Sequence, residues 1–253
     1  VKRFPNDFYC EPRENNIPKY DTIVYAIGSN TNYNMFDSLT KDIEDNLIKL
    51  NKVLENCKDR DINFIFLSSW FAAGKVENLP IKETDNGEVW GYYSICKRAA
   101  EQMIATFCSY YEKKYKILRL SNIYGPEDCY SAKKNALQYL INEIKENRDI
   151  NLYHNGYVIR DFLHVSDCCR AIRLLVDSGD ENIYNISSGQ GYNLVDILDY
   201  VKRIHGAKSK FNNCLPPRFH DIVQVKDMVL DNSKIKQLGF VPKISIWDGV
   251  KSL

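Results

Sequence analysis

Apolar positions along the chain alternate between two kinds of pattern. Short continuous runs (Thr22 to Ile27, Asn63 to Ser68, Lys116 to Leu120 and Asn182 to Ile186) have the length and β-branched or aromatic content of strands buried on both faces. Between them lie helical periodicities. Asp42 to Cys57 places Ile43, Leu47, Leu50 and Leu54 on one face, and a helix opening near Tyr92 carries Cys96, Ala99, Met103 and Phe107 on one stripe. Further helices are predicted within 127–148 (Leu137, Leu140, Ile141, Ile144), over Val165 to Asp177, over Leu194 to Ile204 and around Ser233 to Leu238. Asn155-Gly156, between Ile150–Tyr153 and Tyr157–Phe162, reads as a two-residue hairpin turn. Residues 1–20 and the tail from Phe211, with Pro216 and Pro217, read as loop-rich.

Strand and helix alternate strictly in the first half, which predicts an α/β fold with a doubly wound parallel sheet. The second half is a smaller mixed α/β part.

Composition excludes more than it proposes. With 34 basic and 33 acidic residues the net charge is +1, so no charge excess calls for nucleic acid or a membrane surface. No apolar run reaches the roughly 20 residues of a membrane helix. The eight cysteines show no paired ligand spacing, which predicts reduced thiols of a cytoplasmic protein, without a metal site or disulfide frame.

The candidate chemistry sits at the start of the Tyr92 helix. Tyr93 and Lys97 are four residues apart, so both leave the same face of a helix. An ammonium beside a phenol favours the phenolate, which makes tyrosine a usable base near neutral pH. Tyr110 and Lys114 repeat the spacing where the helix should end, and read as surface. Ser69, a hydroxyl at the end of the Asn63 strand, precedes Tyr93 by 24 residues and completes an arrangement suited to hydride chemistry.

Ser69, Tyr93 and Lys97 resemble the Ser/Tyr/Lys triad of the short-chain dehydrogenases. Leu118-Arg119-Leu120-Ser121-Asn122-Ile123-Tyr124-Gly125-Pro126, Arg160-Asp161-Phe162-Leu163-His164-Val165-Ser166-Asp167, Arg218-x-x-Asp221 and Leu238-Gly239-Phe240-x-Pro242 are similar to segments of the extended branch, the NAD-dependent nucleotide-sugar epimerases and dehydratases. The resemblance implies a Rossmann-type dinucleotide-binding domain over 1–124 and a mainly substrate-binding part over 125–253, with segments near 158–190 returning to the first domain. It implies NAD as cofactor, contacted by Asp7, Ala26, Gly28, Asn46, Tyr93 and Lys97, and a nucleotide-sugar substrate contacted by Asn122, Arg160 and Arg218. Tyr93 would be the base, Ser69 the group hydrogen-bonding the sugar oxygen and Lys97 the group holding the tyrosine ionised. A homodimer through the Asp42–Cys57 and Tyr92–Tyr111 helices is also implied.

Family 4,6-dehydratases carry Thr-Asp-Glu where this chain has Ser69-Trp70-Phe71. Trp70 and Phe71 cannot move protons, so epimerisation at C4 is expected ahead of keto-group reduction, with a non-catalytic nucleotide-binding relative as the remaining alternative. Both rings are also larger than the residues common in epimerases, which implies an altered sugar pocket. Gly28 is the first glycine, so no Gly-rich turn precedes it. The first βαβ unit of the fold is therefore expected to be missing, and NAD binding by these 253 residues to be weak.

Overall fold

The computed structural model describes residues 21–29, 38–126, 136–180 and 182–253. Four parallel strands form the main sheet in the order β1 (Thr22–Tyr25), β2 (Asn63–Ser69), β3 (Lys114–Leu120), β7 (Asn182–Ile186), with Val24 opposite Ile65, Ile65 opposite Lys116 and Leu118 opposite Tyr184. Successive side chains of a strand point to opposite faces, and both faces are covered. Phe64, Phe66 and Ile117 meet Leu50 and Leu54 of helix α1 (residues 41–55) and Ala100, Ile104 and Cys108 of α2 (Tyr92–Tyr110). Ile65, Leu118, Tyr184 and Ile186 meet Cys168, Ala171 and Leu175 of α4 (Val165–Asp177). This two-sided burial is why the strands read as unbroken apolar runs.

Helix α1 is composite: Lys41–Ile43 passes through a π-helical stretch, Glu44–Ile48, into Lys49–Glu55. Its inward face begins with two polar residues, Asp42 and Asn46, and only then becomes apolar at Leu50 and Leu54. Ile43, predicted for the core, is exposed, because the buried face follows Asp42, Asn46, Leu50 and Leu54 at four-residue steps. In α2 the deepest stripe is Lys97, Ala100, Glu101, Ile104 and Cys108, while Tyr92 is partly exposed and Met103 and Phe107 are only half-buried.

The second part is built from β4 (Asn122–Tyr124), α3 (Ala136–Lys145), β5 (Ile150–Tyr153), β6 (Ile159–His164), β8 (Gly191–Asn193), α5 (Leu194–His205) and β9 (Phe211–Cys214). Its core gathers Leu137, Ile141, Phe162, Ile197 and Val201. The hairpin expected at Asn155-Gly156 does not form. Both residues have the positive φ that such a turn needs, at 54° and 77°, yet β5 pairs in parallel with β9 and β6 pairs with β4 and β8. A turn sequence constrains local direction, and strand partners were chosen by burial elsewhere. The tail read as loop-rich holds β9 and three short helices, α6 (Arg218–Val223), α7 (Ser233–Gln237) and α8 (Ile246–Gly249).

Among the described residues no helix is long and apolar enough to cross a membrane, and no cluster of His, Cys, Asp or Glu could hold a metal ion. The six described cysteines are free.

Candidate active site

β2 ends at Ser69, at the carboxyl edge of the parallel sheet where open α/β folds receive ligands. A single 3₁₀ turn, Trp70–Ala73, follows, with Ser69 as its cap: the Ser69 Oγ accepts from the Phe71 amide at 3.4 Å. Gly91, at φ 87°, delivers the chain into α2. A Cβ there would lie 2.7 Å from Val223 Cγ1 of α6, so glycine is required by both conformation and space.

Tyr93 lies in the first turn of α2, with the Ser69 hydroxyl near enough to its own to favour the phenolate. The Phe71 ring meets the Tyr93 ring edge-on, centroids 5.8 Å apart, and Trp70 stacks on Phe71. Trp70, Phe71, Lys75, Glu88, Trp90 and Ser94 line a small, partly open hollow at this end of α2. The segment carrying Pro80 and Glu83 is pinned nearby: Arg98 donates to the Ala72 and Gly87 carbonyls, Arg119 to the Glu83 carbonyl, and Asn185 to the Ile81 carbonyl.

One turn along α2, Lys97 is buried with its ammonium 5.0 Å from the Phe66 ring centroid and 5.8 Å from that of Tyr93. Its hydrogen bond to the Leu67 carbonyl is long, 3.5 Å. Burial pulls the Lys97 pKa down to about 8, against the opposing charges of Glu101 and Asp42. Burial pushes the Tyr93 hydroxyl above its ordinary value and Asp42 pushes the same way, while the Ser69 hydroxyl opposes both. That direction is the reverse of what a neighbouring ammonium alone would give.

Gly28, just beyond β1, completes the group. A Cβ on Gly28 would lie 2.7 Å from Asn46 Oδ1 and 3.0 Å from Lys97 Nζ, so a bare backbone brings the asparagine and the lysine together. Asn46 donates to the Ser29 hydroxyl at 2.6 Å and to the Asp42 carbonyl at 2.8 Å, leaving its buried Oδ1 without a hydrogen-bond partner. A buried acceptor beside a lysine with donors to spare suits a ligand hydroxyl pair, which both gives and takes hydrogen bonds. The ribose of a nicotinamide dinucleotide has that chemistry, so these residues fit the cofactor expected from the sequence.

Ser69, Tyr93, Lys97, Asn46 and Gly28 are thus assembled in one place; Ala26 is exposed just after β1, and Asp7 lies outside the described residues. Asn122 and Arg160 sit on the adjacent strands β4 and β6, where Asn122 donates to the Asp161 carbonyl at 3.0 Å. Part of the Arg160 guanidinium is committed to the backbone carbonyls of Ile159, Val225 and Lys226, and burial draws its pKa down to about 10. Arg218 is exposed at the start of α6. Tyr110 is exposed in the last turn of α2 and Lys114 opens β3, which separates that second Tyr/Lys spacing from any site.

Sequence reasoning missed two side chains at the centre of the arrangement. Asp42 is buried one turn before Asn46, with the Ser29 hydroxyl donating to its carboxylate at 2.5 Å. Glu101, one turn after Lys97, accepts from Ser68 at 2.6 Å and from Arg119 at 2.8 Å. The four-residue spacings Asp42/Asn46 and Lys97/Glu101 were the available signals.

The family described as the NAD dependent epimerase/dehydratase family matches residues 14–187. A putative UDP-glucose 4-epimerase of Methanocaldococcus jannaschii is 24% identical over 240 residues, 93% of this chain and 76% of that protein. GDP-L-fucose synthase 1 of Arabidopsis thaliana is 33% identical over 139 residues, 51% of this chain and 41% of that protein. Among solved structures, the UDP-glucose 4-epimerase of Thermotoga maritima with UDP-glucose superposes with a TM-score of 0.84 at 24% identity, over 91% of this chain and 75% of that one. The fold is therefore the Rossmann-like α/β arrangement expected from the alternating pattern.

Proposed function

The chain belongs to the NAD dependent epimerase/dehydratase family, and on that premise we propose that it epimerises a nucleotide sugar at C4, with Ser69, Tyr93 and Lys97 as its catalytic residues. When bound, NAD supplies the hydride acceptor and donor at the sugar carbon. Tyr93 takes the proton from the sugar hydroxyl as that carbon is oxidised and returns it after the ring has turned its other face. Ser69 holds the phenolic oxygen and the sugar oxygen within one hydrogen-bonded group. Lys97, still mostly charged at neutral pH with a pKa of about 8, favours the phenolate during the transfer and offers donors to the ribose. Asn46, Gly28 and Ala26 contribute the rest of the cofactor contact, as Asp7 does by resemblance.

The observation that carries this reading is the Ser69 hydroxyl and the Tyr93 phenol brought together beside a buried, sparingly partnered lysine at the carboxyl edge of a parallel sheet. Trp70 and Phe71 bring rings and no carboxylate to Tyr93, so neither supplies the acid–base group for removal of water from the sugar. Asn122, Arg160 and Arg218 are assigned to the substrate, the arginines to its diphosphate. The epimerases among the relatives and neighbours favour a uridine diphosphate sugar. Chromatography of the protein incubated with UDP-glucose and NAD in large excess, to offset weak binding, should show UDP-galactose, and failure to form it from either direction at saturating NAD would remove the assignment.

Association follows from the same faces. Ile43 and Ile48 on α1 and Ile95 on α2 are exposed apolar residues on neighbouring helices. We assign them to a homodimer with a two-fold axis; light scattering that finds only monomer at micromolar concentration would contradict it.

A further inference from the structure

Lys97 is faced by two carboxylates, and they are not equivalent. Glu101, on its own helix, is tied to the Arg119 guanidinium and the Ser68 hydroxyl, so its charge is compensated within the sheet. Asp42 comes from the opposite side, from α1. The Ser29 hydroxyl donates to its carboxylate, and its backbone carbonyl accepts from Asn46, which itself donates to Ser29. Asp42, Ser29 and Asn46 are all buried, and the asparagine they orient shares the space above Gly28 with Lys97 Nζ. We propose that Asp42 is a positioning residue for the catalytic pair, its carboxylate anchored by Ser29 so that Asn46 is fixed beside Lys97 and a negative charge faces the ammonium. This inference rests on Tyr93 and Lys97 being that pair.

The surroundings of Lys97 make the charge consequential. Among the described residues its own helix presents Tyr93, Cys96 and Glu101, the last bound to Arg119 of β3; β2 presents the Phe66 ring and the Leu67 carbonyl; α1 presents Asp42. Asp42 favours the ammonium and disfavours the Tyr93 phenolate. It therefore holds the pair as Lys97-H⁺ with Tyr93-OH between turnovers, the form that keeps a buried, uncompensated phenolate from being the resting state.

The test reads Lys97 directly. Competitive acylation of the folded protein across pH, with mass spectrometry of the Lys97 peptide, gives the titration of that amine without substrate. Asp42→Asn should lower its midpoint, raising the acylation rate near pH 7 by roughly threefold for each half unit. Asp42→Glu should return it towards the parent. Asp42→Ser gives the same direction where the asparagine variant does not fold. Ser29→Ala, which only frees the carboxylate, should shift it the same way by less. The alkaline limb of the pH–rate profile should move down with the midpoint in Asp42→Asn. An unchanged Lys97 midpoint in these neutral and unanchored variants would overturn the inference. Because the labelling needs neither UDP-sugar nor NAD, its failure is distinguishable from failure of the epimerase assignment.

Discussion

Two buried basic side chains lie close together on α2 and β3, and the protein treats them differently. Arg119 is well partnered: its Nε and Nη2 meet Glu101, at 2.8 to 3.3 Å, and its Nη1 reaches the Glu83 carbonyl at 3.2 Å. Lys97 has one long hydrogen bond, to the Leu67 carbonyl at 3.5 Å, and two aromatic faces. A buried charge bound to its counter-charge is architecture, because removing either partner strands the other. A buried charge with donors left over costs free energy in the folded protein and is retained where a ligand will use them. The neighbouring serines divide in the same way: Ser68 is turned to Glu101 and Ser69 to Tyr93.

The largest effect that tests this contrast is on stability. Arg119→Met should destabilise the fold by about 3–5 kcal/mol, since Glu101 is left buried and unpaired; denaturant unfolding near pH 7 checks it. Lys97→Met should do the opposite and stabilise by roughly 2 kcal/mol at neutral pH while activity is lost, because it removes a charge whose burial is poorly compensated. If both variants destabilise alike, the two residues are not different in kind.

The sign of the pH dependence sharpens the second case. The folded-state pKa of Lys97, about 8, lies below that of an unfolded lysine, near ~10.4. Between those values the unfolded chain binds more protons, so this residue makes stability rise as pH increases from about 8. The stabilisation gained by Lys97→Met should therefore be full below about pH 8 and vanish above about pH 10.4; a gain independent of pH would mean that Lys97 titrates normally.

Smaller again is the split between the serines. Ser68→Ala should cost about 1 to 2 kcal/mol of stability, with kcat changed little. Ser69→Ala should leave stability nearly unchanged and lower kcat roughly tenfold to a hundredfold, the worth of one hydrogen bond to a developing charge. Loss of kcat in both would show that the two positions are not separable.

Much of this could be read from the residues in order. Val165–Asp177 and Asn182–Ile186 were found to the residue, and β2 extends just one residue, Ser69, past the sequence reading, because two-sided burial and clean helical periodicity leave local and global demands in agreement. The Tyr93/Lys97 spacing was legible since one helix carries both. What escaped depends on contacts across the chain. Asp42 reads as a helix-start acid until α1 is docked against β1 and Ser29, and Glu101 reads as a solvated helix charge until Arg119 is brought to it by the β2–β3 pairing. Ile43 was misplaced because the hydrophobic pattern was fitted to apolar residues, whereas the buried face of α1 opens with polar ones. The short elements after Phe211 have too few residues for a period to show.

The central claim is that the Tyr93 hydroxyl moves the proton in sugar epimerisation, and Tyr93→Phe removes that oxygen alone. Interconversion of UDP-glucose and UDP-galactose, followed by chromatography alongside NAD affinity measured by fluorescence, tests it most directly. The account expects the parent protein to equilibrate the two sugars and Tyr93→Phe to turn over more slowly by about 10³-fold or more, with NAD affinity within a few-fold of the parent. Turnover by Tyr93→Phe within a few-fold of the parent would contradict it.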